Sequence, residues 1–299
     1  MKRFFGFVFI ACLFAANAQY GNEWINYNQS YYCFKVAKDG IYKIDYNTLN
    51  AAGFPVASTP SNHFQLWGFE KEQALYIEDG GDNSFDPGDY LLFYAQKNTT
   101  WLDSLLYENP NDVPNKYYPH YNDTITYFLT IHNAPNNKRI ISETDVNYNS
   151  LTPNPYVLQT TYKVFNDTYV EGYKNYGLSY SQYVNGEGWS SGRVNALSTN
   201  NFVNSIISTN LAYTGVNAPN VTGVAVSAGA SNAAVSSSGN HHVQLKNMTS
   251  NAILADLVFT GYQKNTFSFS FPSTDLGATT TNIRHEFVND LGVASDQQV

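Results

Sequence analysis

Asp79, Asp82, Asp86 and Asp89 fall within the eleven residues Asp79-Gly80-Gly81-Asp82-Asn83-Ser84-Phe85-Asp86-Pro87-Gly88-Asp89. Calcium is held by several hard oxygen ligands gathered in a tight loop, and glycine permits the turning. The four carboxylates are therefore a candidate Ca2+ site, and Ca2+ is the one cofactor to which the sequence points. The spacing is not that of the EF-hand loop, and no bidentate Glu closes it. The alternative is a polar turn joining two strands.

Thiol and imidazole chemistry come next. The cysteines are Cys12 and Cys33, and only Cys33 lies outside the N-terminal apolar segment described below. It sits in Tyr31-Tyr32-Cys33-Phe34-Lys35-Val36, a strand-like run. Such a cysteine is expected to be a small buried apolar side chain, kept a thiol by its surroundings. A nucleophile would need a base within hydrogen-bond reach. The nearest histidine in sequence is His63, beyond a predicted hairpin and helix. The others are His120, His132, His241, His242 and His285. His241 and His242 are adjacent, so a strand would point them to opposite faces, which argues against shared metal ligation. Structural roles are expected for all six. No G-x-S-x-G, H-E-x-x-H, G-x-x-x-x-G-K or G-x-G-x-x-G occurs. Spacing singles out no carboxylate pair for glycoside hydrolysis. Gly186-Glu187-Gly188-Trp189 reads as a sharp turn delivering Trp189 to a core or a domain interface. Nothing nearby supports a catalytic Glu187, and no catalytic residue is predicted in this chain.

Composition narrows the field further. Sixteen Lys and Arg stand against 24 Asp and Glu, a net charge of −8. Without a basic cluster, the chain lacks the electrostatic footprint of a nucleic-acid binder. Hydrophobic residues make 43% and aromatic residues 16% of the chain, which excludes wholesale disorder. Charged residues are only 13%, and with many Tyr, Asn, Thr and Ser this composition suggests a β-rich protein.

Lys2 and Arg3 precede the apolar run Phe4–Ala16, and Ala16-Asn17-Ala18 offers small residues around a cleavage point. Residues 1–18 thus read as a secretory signal peptide, too short to be a membrane span. No later apolar run is long enough for a transmembrane helix. A rival reading anchors Cys12 as a lipoprotein cysteine. Cleavage after Ala18 removes Lys2 and Arg3 and takes the net charge from −8 to −10. It leaves Cys33 without a disulfide partner. The expected location is the cell surface or the extracellular space.

The elements that must position these residues are mostly strands. Period-2 runs predict strands at Tyr32–Val36, Ile41–Ile44, Phe64–Gly68, Ala74–Ile77, Tyr90–Tyr94, Ile125–Ile131 and Lys138–Ile141. The first two flank Asp39-Gly40, a hairpin signal. A short helix is predicted at Tyr46–Ala52, with Asp45 as its N-cap and Gly53 past its end. Pro153 and Pro155 mark a boundary near residues 150–155. Beyond it, strands are predicted at Val221–Val226, Val243–Leu245, Ala252–Phe259, Thr266–Phe271 and Asn282–Val288. Phe267, Phe269 and Phe271 alternate with Ser268 and Ser270 as a clean apolar face. The expected fold is mainly β: a β-rich domain over residues 19–150, then an antiparallel, jelly-roll-like β-sandwich over 156–299. The last residues, Asn289 to Val299, carry no predicted element, and the chain reads as interrupted before a further domain.

In this order, several segments resemble one family. They are Trp24-Ile25-Asn26-Tyr27, Tyr32–Ile44, Asp86–Ala95, Tyr121–Leu129, Gly186–Trp189 and His241-His242-Val243. Together they are similar to the non-catalytic N-terminal region of Bacteroidota gingipain-like cysteine peptidases, including the PorU-type surface peptidase of the type IX secretion system. The resemblance covers nearly all of residues 20–299. It implies that these β-domains precede a caspase-like catalytic domain bearing a His–Cys dyad, which this chain does not contain. It implies as partners that downstream domain and secretion-system or cell-surface proteins, with no nucleic acid. No catalytic residue of the family transfers to any position here. The reading that competes is a stand-alone β-sandwich binding module for glycans or cell-surface partners, with exposed Tyr and Trp stacking on sugar rings.

Overall fold

The computed structural model describes residues 21–135, 137–232 and 239–299. The predicted signal peptide and Cys12 lie outside the described residues. The fold is mainly β, and it divides into two units. The first takes the chain up to Gln96 and returns for Thr124–Glu143; the second takes Lys97–Asp123 and Thr144–Val299. The division differs from a linear split at the two prolines, because residues 97–123 go with the second unit.

In the first unit, β1 (Tyr32–Val36), β2 (Gly40–Asp45), β3 (Phe64–Gly68), β4 (Lys71–Gln73), β5 (Tyr76–Glu78), β6 (Tyr90–Ala95) and β7 (Ile125–Ile131) form two antiparallel sheets. Their orders are β1-β7-β3-β4 and β2-β6-β5. The expected hairpin between β1 and β2 is absent: β1 pairs β7 and β2 pairs β6, so the chain crosses from sheet to sheet. A two-residue primed turn needs positive φ, and neither Asp39 nor Gly40 has it. Helix α1 (Tyr46–Ala51) follows β2, and Asp45 caps it by accepting from the Thr48 N–H at 2.8 Å. The expected strand at Lys138–Ile141 reduces to a single bridge, Leu75 to Arg139. There the Arg139 guanidinium donates to the carbonyls of Asn62 and Phe64.

Alternation fixes the faces. Val36, Phe64, Leu66, Leu91, Phe93, Tyr127 and Leu129 point between the sheets and are buried. The outer face of the first sheet is covered by Trp24, whose ring packs 5.4 Å from Trp67 and 5.3 Å from Phe128.

In the second unit, β8 (Thr168–Val170) and β9 (Gly188–Ser190) form a small ribbon. The sandwich is built from β10 (Val194–Asn195), β11 (Phe202–Ser208), β12 (Val221–Gly229), β13 (His241–Asn247), β14 (Ala252–Phe259), β15 (Lys264–Phe271), β16 (Thr280–Phe287) and β17 (Asp296–Gln298). Its sheets are β10-β17-β12-β15 and β11-β16-β13-β14. Phe267 and Phe271 from one sheet meet Val243, Leu245, Ile283 and Phe287 from the other, while Ser268 and Ser270 face out. The end of the chain does carry an element: β17 pairs with both β10 and β12 inside its sheet. Among the described residues no helix is long and apolar enough to cross a membrane.

Candidate functional site

The richest assembly of chemistry-bearing side chains surrounds Gly186-Glu187-Gly188-Trp189, in the second unit. The backbone there demands glycine: φ is +75° at Gly186 and +144° at Gly188, and a Cβ on Gly188 would come 2.9 Å from Pro114. This turn sets Glu187 and Trp189 among tyrosines. Glu187 accepts from Tyr169 Oη at 2.7 Å through Oε1 and from the Val184 N–H at 3.3 Å through Oε2. Its carbonyl accepts from Tyr107 Oη at 2.6 Å. Tyr107 Oη also lies 3.0 Å from His120 Nε2. The phenol has one proton, which goes to the Glu187 carbonyl, so His120 donates through Nε2–H. Its Nδ1 is then a bare acceptor, and this buried atom has no partner. Trp189 Nε1 donates to the His120 carbonyl at 3.3 Å, and the Tyr121 and Tyr183 hydroxyls hydrogen-bond each other.

Electrostatics lock this cluster in its neutral forms. Burial, reinforced by the Glu187 carboxylate, pushes the Tyr107 and Tyr169 phenols far above their ordinary value. Burial and the Tyr121 hydroxyl push Tyr183 up to about 12. Burial pulls His120 down against the raising effects of Asp103 and Glu187. A phenol with so high a pKa is neither base nor nucleophile near neutrality. The arrangement ties residues 103–121 to residues 169–189, and this is why Lys97–Asp123 belongs to the second unit. Tyr107 and Val113 in this segment are both buried.

The sequence candidates are dispersed. In the loop between β5 and β6, Asp79 accepts from the Gly81 N–H at 3.0 Å and from the Ser61 hydroxyl. Asp82 accepts from the Ser84 N–H at 2.8 Å, and Asp89 from the Asp86 N–H at 2.6 Å. Asp79, Asp82 and Asp89 thus shape the turn rather than converge with Asp86 on a common point. Among the described residues no three His, Cys, Asp or Glu side chains are gathered as a metal ion would need. The hydrogen bonds of the loop are those of the polar-turn alternative.

Cys33 corrects an expectation: it is exposed, not buried. Tyr32, Phe34 and Val36 take the inward positions of β1, so alternation sends Cys33 and Lys35 outward. The imidazoles are engaged elsewhere. His63 Nδ1 bonds the His132 carbonyl, His132 Nδ1 lies near the Ala134 carbonyl, and His241 Nε2 near that of Ser231. His241 and His242 do point to opposite faces of β13, one buried and one half-buried.

Two of the six histidines stand in unusual surroundings. His242 stands between Asp256 and Asp290, 2.6 Å and 2.9 Å away. His285 is buried in the sandwich with neither ring nitrogen partnered. Burial holds it down to about 4. Its place was legible, since Ile283, His285 and Phe287 share one face of β16. Comparison of the chain with family models, with curated proteins and with solved structures finds no match.

Proposed function

We propose that this chain is the exported, non-catalytic N-terminal part of a gingipain-like cysteine peptidase linked to type IX secretion. Its role is prodomain, scaffold or docking surface for a downstream caspase-like domain and for secretion-system or cell-surface proteins. Export through residues 1–18 and a place at the cell surface or outside the cell belong to the same reading. The order of short motifs along residues 20–299 supports it, as does a mainly β architecture in two units. The observation that carries it is the fate of the thiol. Cys33 is exposed on a strand face, and the hydrogen bonds of His63, His120, His132, His241 and His242 all go to other groups. A cysteine peptidase needs thiolate and base within hydrogen-bond reach. The reading frame beyond the Val299 codon tests the proposal. A caspase-like domain with a His–Cys pair supports it, and a stop codon directly after Val299 overturns it.

One observation favours the second reading, a glycan or cell-surface binding module. The outer face of the β2-β6-β5 sheet presents Tyr94 opposite an exposed Ile41, and Tyr76 beside Leu92. Lys43 Nζ caps the Tyr90 ring at 3.9 Å. Such an aromatic face can stack on sugar rings. A glycan array of the purified chain beside Tyr94→Ala decides: binding lost in the variant supports this reading, and silence on the array removes it.

A further inference from the structure

His242 lies on the outer face of β13, its side chain only 11% exposed. Its Nε2 is 2.6 Å from Asp256 Oδ1 on the neighbouring strand β14. Its Nδ1 is 2.9 Å from both carboxylate oxygens of Asp290, in the segment after β16. A neutral imidazole carries one N–H and one lone pair, so it can donate to only one carboxylate. The other nitrogen would then face a carboxylate with its lone pair. Only the imidazolium, a donor at both nitrogens, satisfies this geometry. We propose that His242 is a proton-operated latch that holds the Asn289–Ala294 segment, which feeds β17, against the sandwich when protonated and releases it when neutral.

The two carboxylates are held unequally. Asp256 also accepts from Gln244 Nε2 at 2.9 Å, so it stays in place when the imidazole loses its proton. For Asp290, His242 is the partner among the described residues. The segment leaves the sheet after the Val288 N–H donates to the His242 carbonyl, and it rejoins where Ser295 accepts from the Ala196 N–H. Between these points Asp290 supplies the tether. The other charges on this face are Lys246 on β13 and Glu286 on β16, which pair with each other at 2.8 Å, and Arg284 on β16, opposite Lys246. Lys246 and Glu286 neutralise each other, and Arg284 is turned to the Phe202 ring and Asn204 Oδ1 on β11, so the proton on His242 decides the local balance against Asp256 and Asp290.

Burial lowers the His242 affinity for a proton, but the hydrogen bonds to Asp290 and Asp256 outweigh it and the pKa is raised. The sign follows. A raised folded value makes the latch fully closed below the ordinary histidine value of about 6.5, and loosens it as pH rises through the raised one. Release thus belongs to pH above the raised value, and it requires no unfolding of the sheets.

Hydrogen exchange of residues 289–295, measured on the whole chain from pH 5.5 to 8.5 and corrected for intrinsic rates, tests the latch. In the wild type, protection is expected to fall by about tenfold as His242 deprotonates, the size of one charge-assisted hydrogen bond. His242→Gln and Asp290→Asn should each leave the segment loose at low pH and erase the pH dependence. Asp290→Asn changes an exposed side chain and keeps the sheet intact. An NMR titration of His242 in the wild type gives an independent reading and should report a midpoint above the ordinary value. A midpoint at or below that value, flat protection in the wild type, or a pH dependence that survives both substitutions would overturn the proposal.

Discussion

Between the sheets of the first unit stand Phe54, Phe64, Phe85, Phe93, Tyr127 and the leucines Leu66, Leu91 and Leu129. In the second, Phe267, Phe271 and Phe287 are joined by His285, and His241 and Gln297 are fully buried as well. His285 and Gln297 bury side-chain nitrogens and oxygens without partners. Among the described residues of the first unit, the buried polar side chains are Ser61, Gln65 and Thr130, none of which ionises. An apolar aromatic core is indifferent to protons, whereas a buried, unpartnered imidazole must be kept neutral. The contrast assigns packing energy to both units but acid sensitivity of the core to the second.

The largest effects should come from cavities, and they should be alike in the two units. Phe64→Ala and Phe287→Ala are each expected to cost about 3–5 kcal/mol, read by denaturant unfolding with residue-resolved hydrogen exchange. A loss confined to one of the two would break the symmetry of the packing argument. Acid separates the units next. His285 is held to about 4, where an ordinary imidazole titrates near 6.5, so the unfolded chain takes up the proton first. Its contribution is present above about pH 6.5 and is lost as pH falls toward the folded value. The full difference amounts to about 3 kcal/mol in the second unit. His285→Leu should flatten that slope, and a slope unchanged by the substitution would locate the acid sensitivity elsewhere. The sign is opposite to that of His242, whose latch closes in acid.

A smaller effect is expected at the turn holding Glu187. Tyr107→Phe removes the hydroxyl shared by His120 and the Glu187 carbonyl and should cost about 1–2 kcal/mol, with exchange rising in residues 103–121. Exchange rising in the first unit instead would contradict the assignment of that segment. The smallest is zero: calcium should give no heat by calorimetry and no shift in melting temperature, as with Asp82→Ala and Asp86→Ala. A calcium-dependent shift lost in those variants would mean that the loop rearranges to bind.

Much of this fold can be read from alternation. Tyr32–Val36, Phe64–Gly68, Ile125–Ile131 and Ala252–Phe259 are strands with the expected ends, and Asp45 caps its helix as its chemistry requires. Strand β11 is hidden by its Asn and Ser residues, and β8, β9 and β17 are too short for a periodic signal. The Asp39-Gly40 pair misleads because the chain changes sheet where a local rule expects it to turn back. The clusters are less legible for a geometric reason. Tyr107 and Glu187 meet across 80 positions, and His242 and Asp290 across 48. Strand pairing and a segment that precedes β7 in the chain bring them together, and no local spacing encodes either.

The proposed function requires that this chain carry no peptidase chemistry of its own. An assay of the purified chain on Arg- and Lys-containing peptides, run beside Cys33→Ala, tests it most directly. No cleavage by either protein is expected. Cleavage by the wild type that disappears in Cys33→Ala would contradict it, since an exposed strand thiol would then have found a base.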